Sequence, residues 1–107
     1  MQVMQPPPPP PITLKWGDKI TVAINRQTRG VFVVTGTVHT VFPLRAAFFA
    51  QLKEDGKIAH NAYFNIDNEG VTWVKGHHDA GSPEMQELLG KAQEHYHALE
   101  VAAALSK

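Results

Sequence analysis

The chain of 107 residues contains no cysteine. That excludes disulfides, thiolate nucleophiles and cysteine-ligated zinc. A secreted chain this small would ordinarily be stapled by disulfides, so a reducing compartment, the cytoplasm, is expected. No apolar run approaches the roughly 20 residues of a membrane span, and no membrane partner is expected. Residues 1–5 have neither a basic nor an apolar stretch and do not read as a signal peptide. Serine is scarce as well. Ser82 and Ser106 are the only two, and neither sits in a G-x-S-x-G elbow. There is no P-loop and no G-x-G-x-x-G, so nothing cradles a phosphate through glycine-rich backbone. The carboxylates fall mostly in turns or along one helix, where turn chemistry and solvation account for them. No catalytic residue and no cofactor is indicated.

What is present fits one domain. The formal net charge of zero conceals a division. Residues 1–53 hold six basic side chains against the single acid Asp18, and residues 54–107 hold four against nine acids, so the halves carry +5 and −5. Such asymmetry points to a charged partner or to the chain itself as partner.

Residues 6–11 are six consecutive prolines. Lacking N–H donors and fixed near polyproline II, they span roughly 19 Å. Residues 1–11 are therefore expected as an extended proline-rich segment. No Arg or Lys flanks the run to orient a groove partner, so a stiff lead-in is favoured over an SH3- or WW-type ligand. The remainder, 12–107, reads as a single α+β domain.

Alternation of apolar and polar residues marks strands. Residues 12–16 read as a short strand, followed by a turn at Gly17-Asp18. In 19–25, Ile20, Val22 and Ile24 share one face against Thr21 and Ala23. Residues 31–42 form a long strand with Phe32, Val34, Val38 and Phe42 on one face, and Gly36 among them is the expected bulge. Residues 44–55 suit a helix by propensity, but Asp55-Gly56 between two apolar runs favours a hairpin. Ile58, Ala62, Phe64 and Ile66 then share a face, and 71–75 returns after a turn at 67–70. Ser82 as N-cap and Pro83 at the first helical position open a helix over 83–104. Glu87 and Lys91 pair on its polar side. The expected architecture is an antiparallel β-meander of four to six strands with a C-terminal amphipathic helix packed on one face.

Three sets of residues carry possible chemistry. Met85, Leu89, Ala92, Tyr96 and Leu99 follow heptad-like spacing. They can pack on the chain's own sheet, which needs an apolar cover, or on a second copy; a symmetric dimer reconciles the two. Lys15, Trp16, Lys19, Arg26, Arg29 and Arg45 make the basic half a candidate single-stranded nucleic-acid surface, with Trp16, Phe49, Tyr63 and Trp73 as stacking platforms if they face outward. His77, His78, Asp79 and His95 have the ligand chemistry of a transition-metal site. Against it, His95 and His97 diverge around the helix and His77 and His78 are adjacent. His39 and His60 are expected as polar-face and hydrogen-bonded, half-buried histidines respectively. The leading expectation is a non-catalytic binding or accessory domain that self-associates through protein contacts. The nucleic-acid binder and the His-based metal enzyme are the alternatives.

Overall fold

The computed structural model describes residues 13–26, 28–54 and 56–106, so the proline segment, Ile12 and Asp55 lie outside the described residues. Five strands form one antiparallel sheet: β1 (Lys19–Arg26), β2 (Gly30–Phe42), β3 (Ala47–Glu54), β4 (Lys57–Asn65) and β5 (Trp73–Lys75). One helix, α1 (Pro83–Leu105), follows. The fold is α+β, as the sequence pattern predicts. Strand order is β4-β3-β2-β1-β5. The first four strands are a meander. The fifth leaves it and pairs with β1, setting Trp73 opposite Val22 and Lys75 opposite Ile20.

That last pairing bends the whole sheet. A single-turn 3₁₀ helix at Ile66–Asn68 carries the chain from one edge of the sheet to the other. The Trp73 indole N–H then donates to the carbonyl of Asn65 at 2.8 Å, linking the strands at the two edges. Trp73 also meets Phe48 edge-on at 5.1 Å between centroids, and Phe48 stacks on Phe64 at 5.6 Å. The sheet coils around these rings, and its inner face holds Ile20, Val22, Val38, Phe48, Leu52 and Trp73, each essentially free of solvent. Leu14, from the lead-in to β1, packs into the same cluster.

The expectation that α1 supplies the sheet's main apolar cover is corrected here. The helix lies on the opposite, outer face, where a second and smaller cluster consists of Ala23, Leu88 and Ala92 flanked by Val31, Val33, Val74 and Tyr96. The inner face needs no helix because the curled sheet covers itself, with aromatic rings large enough to fill the space between its walls.

Four further expectations change for local reasons. Residues 13–16 form no strand; Lys15 N–H instead donates to Asp18 Oδ2 at 3.0 Å, and Asp18 N–H returns to the Lys15 carbonyl at 3.1 Å. The bulge in β2 sits between Val38 and Thr40. It inverts the alternation beyond His39, so Val41 joins the inner cluster and Phe42 turns outward onto Phe49. Gly36 answers a different need: a Cβ there would lie 2.9 Å from Leu52 Cδ2 and 3.1 Å from the Gln51 carbonyl. Another irregularity, pairing Leu52 with His60 but Lys53 with Ile58, takes Ile58 off the apolar face, and it is exposed.

Ser82 caps α1 as its sequence suggests, its Oγ accepting from Met85 N–H at 3.3 Å. The Lys91–Glu87 pair forms at 2.9 Å.

Candidate functional site

The three candidate sets fare differently. The histidines do not converge. His77 Nε2 donates to the Gly36 carbonyl at 2.9 Å and His78 Nε2 to the Lys75 carbonyl at 3.0 Å, so their rings serve different strands. His95 lies against Tyr96, with ring centroids 5.4 Å apart. Among the described residues no group of three or more His, Cys, Asp or Glu side chains is placed to hold a metal ion. His60 is exposed, contrary to the half-buried expectation, because it stands at the rim of the curled sheet; its Nδ1 lies 3.3 Å from Arg26 Nη2.

Arg26 is the most engaged cation of the basic set. Its Nη2 donates to Glu54 Oε1 at 2.6 Å, and its guanidinium lies 5.6 Å from the centroid of Phe32. These contacts close one end of a cleft of about 250 Å³ between β1 and β4, where β5 has ended and the sheet edges do not meet; Ile24, Ala62 and Phe64 line it, with Tyr96 from α1 beside them. The Tyr96 hydroxyl donates to the Ala23 carbonyl at 3.3 Å, and burial pushes the Tyr96 phenol above its ordinary value.

Lys15, Trp16, Lys19, Arg29 and Arg45 are all exposed, but they occupy different places. Lys15 and Trp16 lie in the lead-in, Arg29 at the β1–β2 tip and Arg45 in the turn after β2; only Lys19 is on a strand. Of the proposed stacking rings, Trp73 is core and Phe49 half-buried, whereas Trp16 is 79% exposed and Tyr63 48%.

The outer face of the sheet beyond the helix is better organised than that set of cations. One row across four strands reads Lys19, Thr37, Gln51, Asn61. The next reads Thr40, Phe49, Tyr63, with Phe49 and Tyr63 edge-on at 5.4 Å. Lys53 stands opposite Thr35 on the same face. None of these rows contains a carboxylate.

The heptad-like stripe also divides. Ala92 is buried, and Met85, Leu89 and Tyr96 are half-buried, on the chain's own sheet. Leu99 continues the stripe but is 52% exposed. From His97 onward every described helical residue is exposed, including Val101 and Leu105. Of residues 98–105 only Glu100 is polar, so apart from that one position this end of the helix has no polar face. Heptad counting overlooks Val101 and Leu105 because they lie off the stripe; the signal that finds them is the loss of any polar face after His97, Glu100 apart.

No helix among the described residues is long and apolar enough to cross a membrane. No family model, no curated protein and no solved structure matches the chain.

Proposed function

We propose that this protein is a non-catalytic interaction module that self-associates through the projecting end of α1. The observation that carries this reading is the exposed segment 98–105, apolar at every position but Glu100. A helix apolar on every side is ordinarily buried, and a helical end without tertiary packing gains little from propensity alone. At 1.5 Å per residue the segment is about 12 Å long, small beside the roughly 800 Å² per partner of a standard interface. Neighbouring surface must therefore contribute. Glu84, Glu94 and Glu100 are exposed along the helix, while Lys15 and Arg29 are exposed on the sheet side. Their opposite signs suit a partner copy, with charge speeding encounter and apolar contact slowing dissociation.

Light scattering tests the reading at about 50 µM protein, where an interface of micromolar affinity is largely occupied. The expected result is a dimer or larger species at low ionic strength, less populated at high salt, and a monomer for the Leu99→Glu/Leu105→Glu variant. A wild-type monomer at low ionic strength overturns it.

A further inference from the structure

We infer that the outer face of β1 to β4 beyond the helix is a docking surface for single-stranded nucleic acid, separate from the helix end. Three features on that face converge. The first is charge: Lys19 and Lys53 project from rows that contain no carboxylate, and Arg45 is exposed in the turn just past Phe42. A polyanion meets these cations with no carboxylate in the same rows. The second is the Phe49–Tyr63 pair, whose outer ring is 48% exposed. Base–aromatic stacking tolerates any base because every base has a π-face. The third is the amide pair Gln51 and Asn61, opposite each other one row away, which supplies both donors and acceptors for base edges. A sheet with an aromatic and polar face holds two or three unstacked bases in this way. The strand rows themselves are flat and offer no ribbon to enter a duplex groove, and a few lysines alone bind duplex weakly.

This assignment departs from the sequence-level cation set. Arg26 is neutralised by Glu54, and Arg29 lies at the hairpin tip, beyond the last β2–β3 pair at Thr35 and Lys53.

Fluorescence anisotropy of the full chain with a labelled oligothymidylate of about twelve nucleotides, within the usual site-size range, is the test. Three phosphate contacts give a slope of log K against log salt of about −2. Tyr63→Leu should weaken binding about tenfold, and Tyr63→Phe, which keeps the ring, should not; base stacking of ordinary strength sets that scale. Lys19→Glu/Lys53→Glu should abolish binding, whereas Arg29→Glu should change it less than twofold. The Leu99→Glu/Leu105→Glu variant should bind as wild type, which separates this surface from self-association. Thermal melts confirm that each variant folds, and the Leu–Phe comparison at Tyr63 stands without the charge reversals. No binding at about 50 µM protein in low salt, where phosphate contacts are strengthened, overturns the proposal. So does equal affinity of wild type and Tyr63→Leu, equal affinity for duplex or for polyglutamate, or a change of oligomeric state in Tyr63→Leu that replaces loss of binding.

Discussion

The two faces of the sheet bury apolar surface by different means. Inside, rings and branched chains from all five strands interlock, with Trp73 reaching Phe48 and, through its indole N–H, the backbone of Asn65. Outside, α1 contributes two fully buried side chains, Leu88 and Ala92, over Ala23. The inner cluster is self-sufficient and closes the sheet. The outer one fastens a helix that then runs past its support. The difference teaches that the helix here is an appendage to a core the strands build among themselves.

The sharpest way to break the contrast is Phe48→Ala. Removing a fully buried ring between Phe64 and Trp73 should cost about 3–5 kcal/mol, most of the stability of a domain this size, and urea unfolding should show it as loss of a cooperative transition. Leu88→Ala on the outer face should cost less, about 2–3 kcal/mol, because a helix over one small cluster can settle into the space. Equal losses in the two variants would show that the faces are one cooperative core.

Tyr96→Phe should cost about 1 kcal/mol at neutral pH, the worth of one hydrogen bond to the Ala23 carbonyl. It also carries a pH signature. Burial raises the Tyr96 phenol above 10.0 in the folded chain, so its contribution is fully present below that pH and is lost as pH rises through the folded-state value. The stability gap between wild type and Tyr96→Phe should therefore narrow in alkali, as paired denaturation curves at pH 9 and 11 would record. The smallest effect on stability belongs to truncation after His97. Deleting the unsupported end should change the unfolding free energy by no more than about 0.5 kcal/mol, as for other exposed positions, yet abolish self-association in light scattering. A large loss of stability would mean that the end is held by the chain's own sheet.

Much of this fold is legible in the residues. The alternation of Ile20, Val22 and Ile24 sets β1, and the Ser82-Pro83 start sets α1, because both depend on local backbone geometry and side-chain period. Turn chemistry at Asp55-Gly56 rightly outweighs the helix propensity of 44–55. The misplaced side chains share one cause. Bulges near His39 and Ala59 shift a period-2 pattern by one residue, and β-branched and aromatic runs fit either register until a neighbouring strand selects one. The outer polar-aromatic face was invisible for a related reason: Lys19, Gln51, Lys53, Asn61 and Tyr63 come from three strands and meet only through pairing.

By itself, then, the sequence determined the α+β class, the antiparallel run of strands, the capped helix, the absence of thiol chemistry and the uneven distribution of charge. These are properties of period, propensity and composition. Tertiary structure alone decided that Trp73 crosses to β1 and closes the sheet, that α1 covers the outer face, that Arg26 is tied to Glu54, and that the helix outruns its support. Each of those follows from which distant segments pack together, where the volume of two or three aromatic rings selects one closure.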